Sequence, residues 1–351
     1  MTPALPPAAR RLIATVRSTR FRAERAAAGR VGGGAQPLLA PVHLSIRDSR
    51  TLNVAFAAVS AIPTVSAIPD ERVERAHLVV SRGHRRFRIP LAFEQHAHGG
   101  LLLSGTATLR DVRDTPDVRD VPDVRDVPDE PNTPGHPRLG EGVWRLTVVT
   151  ADASGRVLRR GIGIGIGIEA DTEPPPTPTL HHAPDPRTGT LIRVVRCRSG
   201  RAVLQVTRSR PRAELTRFVP GGDGITVHGR LVMTGARRRW RAKAVRRRDG
   251  VTVPVGAVWE GPEFSFRLPL AEMAGASPGQ WVWDFHVEAD SRAATLPLGR
   301  WLSDVRDPSA AYPTPFRVFA LPSGALVRAH AHFTKSGGFA LTCWDISKET
   351  S

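Results

Sequence analysis

The sequence predicts an all-β protein with two tandem antiparallel β-sandwich (Ig-like) domains, preceded by a basic N-terminal tail that is helical. Three observations support this fold class. Apolar and polar residues alternate beyond residue 38, Gly and Pro separate the short runs, and the two halves of the chain align with each other. Alternation with a period of two is typical of half-buried strands. Many short strands with turn residues between them favour a sandwich.

Residues 1–37 form the predicted basic tail. Its Ala and Arg residues favour a helix, which Gly32-Gly33-Gly34 would end. The longest apolar stretch, Leu12–Val16, is too short for the core of a signal peptide, so we expect a cytoplasmic protein. Two alternatives stay open for the tail: it is solvated, or it lies peripherally on the anionic inner face of the membrane.

The predicted strands are short alternating runs bounded by turn residues. They are Val42–Ile46, Leu52–Phe56, Ala76–Val80, Phe87–Phe93, Trp144–Thr150, Leu191–Val195, Ala202–Val206, Ile225–Met233, Trp240–Val245, Val251–Val255, Phe264–Leu268, Trp281–Val287 and Leu326–Ala331. Leu270–Ala274 fits one helical turn before Pro278. Residues 110–138 form a low-complexity insertion with a repeated Val-Arg-Asp-Val-Pro-Asp unit, whose prolines block strand pairing and predict a solvated loop.

An internal repeat sets the domain limits. Its anchors, in order, are Ile89–Leu91 with Val253–Val255, Gly142–Leu146 with Gly279–Trp283, and Leu191–Arg193 with Leu326–Arg328. The repeat predicts a first sandwich at 38–208, a second at 212–345 and a C-terminal tail at 346–351. It also aligns Trp144 with Trp281, which predicts that both side chains lie in a core.

The second copy carries a family resemblance. It contains Gly-Ile-Thr-Val-His-Gly-Arg-Leu at 224–231, Phe-Ser-Phe-Arg-Leu-Pro-Leu at 264–270 and Thr-Lys-Ser-Gly-Gly-Phe-Ala-Leu at 334–341. This order resembles the β-sandwich accessory domains attached to actinobacterial CDP-glycerol glycerophosphotransferases and glycosyltransferases of the teichoic acid type. Gly338-Phe339 stands where that family has its Asn. The resemblance implies a non-catalytic accessory protein of cell-envelope polymer synthesis, whose partner is an anionic glycopolymer or a cell-envelope transferase.

The charge balance points to an anionic partner. The 351 residues carry 50 Lys and Arg against 33 Asp and Glu, a net charge of +17. Between Arg187 and Arg248 there are 17 arginines and one lysine against only Glu214 and Asp223. Nucleic acid is a less favoured partner, because aromatic residues make up only 6% of the chain and do not interleave with the basic ones.

The strand around Trp240 supplies the candidate site. Alternation places basic side chains on one face of this strand and Trp240, Ala242 and Ala244 on the other. The predicted polyanion-binding residues are Arg237, Arg238, Arg239, Arg241, Lys243, Arg246, Arg247 and Arg248. Arginine forks suit phosphate oxygens. The alternative is a solvated face, or one docked on the acidic residues of the 110–130 segment.

No catalytic motif is evident, and neither a cofactor nor a metal is expected. His-Glu-x-x-His, a phosphate-binding loop and an Asp-x-Asp pair are all missing from the sequence. The pairs His96/His98 and His330/His332 have a spacing that metal ligands use, but no third ligand is evident. Cys197 and Cys343 are predicted to be buried thiols. A divergent transferase, named by association, and an unrecognised hydrolase stay open as alternatives.

Overall fold

The computed structural model describes residues 7–30, 38–57, 73–95, 101–111, 137–164, 182–222, 224–234, 239–274, 279–290 and 295–346. They form two compact units: the described residues from 11 to 208 belong to the first, and residues 7–10 with those from 209 onward belong to the second. Antiparallel β-sheet makes up nearly all the regular structure of both units, which confirms the all-β fold class.

Each predicted strand overlaps an observed one. From the N-terminus, helix α1 (Pro7–Arg30) is followed by the strands of the first unit: β1 (His43–Arg47), β2 (Thr51–Ala57), β3 (Val73–Arg82), β4 (Arg85–Gln95), β5 (Leu101–Thr108), β6 (Arg110–Asp111), β7 (Arg138–Leu139), β8 (Gly142–Asp152), β9 (Val157–Gly161), β10 (Leu191–Arg196) and β11 (Ala202–Thr207). The elements of the second unit are β12 (Arg212–Pro220), β13 (Ile225–Val232), β14 (Trp240–Arg246), β15 (Thr252–Val255), β16 (Ala257–Glu260), β17 (Glu263–Arg267), α2 (Leu270–Ala274), β18 (Trp281–Ala289), β19 (Thr295–Gly299), α3 (Pro308–Ala311), β20 (Arg317–Ala320), β21 (Leu326–Phe333) and β22 (Phe339–Asp345). The helical turn predicted at Leu270–Ala274 is therefore confirmed as α2.

The first unit folds one continuous sheet into a sandwich. Its strand order is β1-β2-β5-β4-β3-β8-β11-β10, and β9 also pairs with β8. Strand β4 joins the two layers, because its first half pairs with β3 and its last residues pair with β5. The apolar sides of both layers meet in one core around Phe56, Leu78 and Trp144. At the ends of the predicted 110–138 loop, β6 and β7 pair in parallel, while residues 112–136 lie outside the described residues.

Helix α1 packs on the outer side of this first unit. Phe21 and Ala28 are buried against Val143, Val195, Cys197 and Val203, which belong to or follow β8, β10 and β11. The helical part of the predicted tail is confirmed, but between Phe21 and Ala28 it is docked rather than a free tail. Its apolar side there is covered by sheet, since burial of apolar surface favours the docked state.

A polar contact fixes α1 next to the apolar one. Glu24 accepts hydrogen bonds from the backbone N–H of Val143 and from Arg82, both at 3.0 Å, and from Arg20 at 3.0 Å. Burial works to raise the pKa of Glu24, but the bonds from Arg20 and Val143 and the charge of Arg82 bring it below its usual value. Glu24 is therefore held ionised at the interface between α1 and β8.

The second unit repeats the strand order of the first. The order β15-β14-β18-β22-β21 corresponds to β4-β3-β8-β11-β10, and β19 pairs with β18 as β9 pairs with β8. Strand β12 pairs with β13, and β13 with β17, as β1 pairs with β2 and β2 with β5. Pro90 lies across from His77, and Pro254 lies across from Lys243, so the aligned Ile-Pro-Leu and Val-Pro-Val segments occupy matching strands. The internal repeat is therefore confirmed as a repeat of architecture.

The sequence alignment pairs Trp144 with Trp281, but in the structure Trp283 takes the position that corresponds to Trp144. The structure buries Trp144 across from Leu204, and in the second unit it buries Trp283 across from Leu341. Trp281 is partly buried: it packs against the core of the second unit and also supports the guanidinium group of Arg246, so it lies at the edge of the core rather than inside it as Trp144 does. The alternation within Trp-Val-Trp leaves both tryptophans on the same side of β18, and only the register with β22 decides which one is enclosed.

Candidate functional site

The predicted basic residues surround the outer side of β14. Ala242 and Ala244 are buried while Arg241 is exposed and Lys243 half-buried, which confirms the predicted alternation. Arg239 is exposed just before the strand. Arg237 and Arg238 lie outside the described residues.

Carboxylates of the neighbouring strand β18 meet these cations. Arg241 forms an ion pair with Asp290 at 2.9 Å, beyond the end of β18, and Lys243 pairs with Glu288. Arg247, in the turn after β14, donates two hydrogen bonds to Asp284, at 3.1 and 2.6 Å. This contact with Asp284 raises the pKa of Arg247. Opposite charges on adjacent strands stabilise the pairing of those strands, so this part of the basic face has an internal electrostatic role.

The turn after β14 holds the remaining cations. Arg246 donates to Asp249 at 2.8 and 2.5 Å, and its guanidinium lies 4.2 Å from the ring centroid of Trp281. Arg248 lies 6.0 Å from the same ring. Among the described residues, Arg239 and Arg248 are the members of the predicted cluster that contact no carboxylate.

On the matching face of the first unit, the basic side chains that the structure describes lack acidic partners on the neighbouring strands. This face carries exposed arginines on β4, on β3 and, on the far side of β8, on β9. We term them the first-unit arginine face: Arg75 on β3, Arg86 and Arg88 on β4, and Arg159 on β9. The residues across from them are neutral: Arg75 lies opposite Ala151, Arg88 opposite Val79, Arg159 opposite Val149 and Arg86 opposite Ser81. Within the described ranges, none of these four arginines contacts a carboxylate.

The pKa of His77 is influenced by the positive charge of this face. This side chain lies on β3 between Arg88 and Arg159, and it is partly buried. Burial lowers the pKa of His77, and the positive charges of Arg88 and Arg159 lower it further. Among the described residues, no acidic group contributes to this shift, so the charges that act on His77 are those of Arg88 and Arg159.

The sequence contained a signal for this face that charge counting along the chain missed. Arg86 and Arg88 alternate with Phe87, and Arg75 and His77 with Ala76, so a period of two would place each pair on one side of its strand. The dense run from Arg187 to Arg248 attracted the prediction instead. What distinguishes the two faces is the central strand. On that side β18 offers Asp284 and Glu288, whereas β8 offers Thr147, Val149, Ala151 and the further cation Arg145, with no acidic residue.

Other chemistry-bearing residues form no catalytic cluster in the part of the chain that the structure describes. No group of three or more His, Cys, Asp or Glu residues there could hold a metal. His330 and His332 stack at 4.7 Å, and Thr314 hydrogen-bonds the ring of His330 at 3.0 Å, whereas His96 and His98 lie outside the described residues. Cys197 and Cys343 are buried free thiols, as predicted. Of the helices that the structure describes, none has the length and apolar character needed to span a membrane.

Comparison with known proteins gives only distant structural likeness. No protein-family signature matches the chain, and no curated protein sequence does. Among solved structures, residues 217–571 of S. aureus TarS align at 16% identity and a TM-score of 0.31, covering 48% of this chain and 50% of that one. A longer S. aureus TarS structure aligns at 9% identity and a TM-score of 0.28, covering 68% of this chain and 38% of that one. The extracellular region of plexin A4 aligns at 8% identity and a TM-score of 0.17. The chain thus spans half or less of the TarS chains it matches, and at these scores the likeness carries no functional argument.

Proposed function

We propose that the chain is a non-catalytic binding protein for an anionic cell-envelope glycopolymer, and that the first-unit arginine face is its main contact surface. One observation carries the proposal. The arginines of this face have neutral cross-strand neighbours, whereas Arg241, Lys243 and Arg247 of the predicted cluster already pair with carboxylates. An anion that binds the first face gains new charge-assisted hydrogen bonds. An anion that binds the predicted cluster on the second unit must compete with the carboxylates that already pair with its cations.

The spacing of the face suits a repeating anion. Neighbouring strands lie about 4.8 Å apart, and alternate residues of one strand lie about 7 Å apart. Four forks distributed over the adjacent strands β4, β3, β8 and β9 can contact successive phosphates of an extended polymer, and no single phosphate spans them. The sequence resemblance to accessory domains of teichoic-acid-type transferases is the reason that we propose a polymer of the teichoic acid class.

A second candidate function is docking of a cell-envelope transferase without a separate ligand. Strand β16 begins the strand order of the second unit, and its Val258 side chain is 66% exposed. Exposed apolar side chains on an edge strand favour contact with another protein. Co-purification with a transferase that survives high salt favours this candidate, because charge contacts weaken with salt and apolar contacts do not.

The test compares two triple variants of equal charge. One replaces Arg75, Arg86 and Arg88 by Ser, and the other replaces Arg239, Arg241 and Lys243 by Ser. Poly(glycerol phosphate) and DNA of matched charge are titrated against each variant over a salt series. We expect the first variant to lose at least about tenfold in polymer affinity, and the slope of log K against log salt to flatten by about 2, because each phosphate contact contributes about 0.7 to 0.9 to it.

The second variant is the matched control. We expect it to lose far less, since Arg241 and Lys243 pair with carboxylates in the free protein. Equal losses in both variants would reduce the effect to net charge, and a larger loss in the second would place the site on the originally predicted cluster. Wild-type binding to the polymer that persists at salt where DNA dissociates indicates a shaped site, whereas equal release of both contradicts polymer specificity.

A further inference from the structure

A separate arrangement of flat side chains lies on the outer side of β21 and β22 in the second unit. Arg328 on β21 lies across from Trp344 on β22. Its guanidinium carbon is 4.8 Å from the ring centroid of Trp344 and 4.7 Å from that of Phe316, which precedes β20. The two rings are 5.6 Å apart at an interplanar angle of 71°. The two rings therefore contact each other edge to face, and the guanidinium group rests against both of them.

These contacts restrict the position of the Arg328 guanidinium. A guanidinium group that rests against aromatic rings still has N–H groups at its rim that can bind a ligand. The side chain is exposed, and among the described residues it contacts no carboxylate. A fixed guanidinium fork without an internal partner favours a carboxylate or phosphate as its ligand, because such a pair forms two parallel hydrogen bonds.

Aromatic and imidazole rings lie next to Arg328, and a simple inorganic anion would not contact them. The ring of Phe316 is 43% exposed and lies 4.4 Å from the ring of His330, which in turn stacks on His332. Thr314 fixes the orientation of His330 through its Nε2. Apolar ring faces and polar imidazole edges next to one anchored cation match a ligand that has an apolar face, hydroxyl groups at its edge and one acidic group.

We propose that Phe316, Arg328 and Trp344 form a subsite for a single acidic sugar, a ring that bears a phosphate or carboxylate group. The acid pairs with the guanidinium edge of Arg328, and the apolar side of the ring packs on the exposed face of Phe316. This subsite lies on the second unit and does not depend on the first-unit arginine face.

The test uses calorimetric titration of the full chain with glucose 1-phosphate, glucuronate, glucose and inorganic phosphate at constant ionic strength. We expect both acidic sugars to bind at least about tenfold more tightly than glucose or phosphate. Arg328→Lys retains the charge but loses the planar fork, and it should weaken acidic-sugar binding at least about tenfold, as should Phe316→Ala. Arg317→Lys, at an exposed position of β20, is the matched control and should bind as the wild type does.

Several outcomes would overturn the proposal. Equal binding of inorganic phosphate and glucose 1-phosphate would reduce the site to an anion contact, and no binding of either acidic sugar would remove it altogether. An acidic peptide that binds as tightly as the sugars would assign the surface to a protein partner. Far-UV circular dichroism of each variant confirms that it is folded. The triple variant of the first-unit arginine face should retain acidic-sugar binding, so the two proposals fail independently.

Discussion

At the scale of single residues, the environment of Glu214 in the second unit is unusual for a carboxyl group. This carboxyl group of β12 is buried, and its Oε2 accepts hydrogen bonds from the backbone N–H groups of Trp301 at 2.8 Å and Leu302 at 3.2 Å. The indole of Trp301 donates back to the carbonyl of Ala213 at 3.0 Å. Burial raises the pKa of Glu214 to about 7, although the two backbone bonds act in the opposite direction. Glu214 thus holds the segment after β19 through these hydrogen bonds, and its burial makes the ionised form unfavourable.

The stability of the protein should depend on pH through Glu214. Its pKa in the folded state lies above the ordinary value of 4.5, so the folded state holds this proton more tightly than the unfolded chain does. The contribution of Glu214 to the free energy of unfolding is then largest below pH 4.5 and falls by about 3 kcal/mol as the pH rises to 7. Glu214→Gln keeps a carbonyl acceptor for Trp301 and removes the titration. We expect urea unfolding of this variant to show a flatter dependence on pH between 4.5 and 7.

An exposed carboxyl group gives the matched control for that measurement. Glu272→Gln changes a solvent-exposed residue of α2 and should leave the pH dependence as in the wild type. If Glu214→Gln and Glu272→Gln give the same pH profile as the wild-type chain, Glu214 does not titrate in this range and its assigned role is wrong.

At the scale of elements, α1 is attached to the first unit by a small apolar contact. Phe21 is the largest side chain in that contact, and beneath the helix Cys197 lies 3.4 Å from the carbonyl oxygen of Arg25. Burial raises the pKa of Cys197, against the opposing charges of Arg25 and Arg201. Docking of α1 therefore protects this thiol.

Phe21→Ala should release α1 from the sheet. We expect the free energy of unfolding to fall by about 3 kcal/mol, the usual cost of truncating a buried Phe, and Cys197 to react faster with a thiol reagent while Cys343 remains protected inside the second core. Arg22→Ala, at an exposed position of the same helix, should change neither quantity. Unchanged thiol reactivity in Phe21→Ala would mean that α1 stays docked without Phe21.

Elements were predictable from the sequence where one side of a strand is apolar and the other is polar. Strands such as β2, whose burial alternates along its length, were predicted with limits close to the observed ones. Strand β12 was missed because its charged residues obscure the alternation: Glu214 is buried, and a bulge shifts the register between Leu215 and Arg217. Such a residue is buried only because Trp301, far along the chain, supplies its hydrogen bonds.

At the scale of the whole molecule, the two units share a strand order but differ in how they balance charge. The predicted cluster looked uncompensated because the run from Arg187 to Arg248 contains only two acids. Its partners Asp284, Glu288 and Asp290 come from β18 or its end, about 40 residues later, and only the pairing of β14 with β18 brings them close. Local charge counting therefore predicts a cationic chain correctly, but it cannot predict which cations the fold leaves available to a partner.

The pKa of His77 tests the central claim most directly, because this side chain lies among the arginines that we assign to the polymer. Bound phosphates would offset the charges of Arg88 and Arg159, which now lower this pKa. Histidine ring signals, followed by NMR over pH and assigned with His77→Asn, give the value with and without poly(glycerol phosphate). We predict that saturating polymer raises the pKa of His77. Binding of the polymer with no change in this pKa would contradict the assignment of the first-unit arginine face.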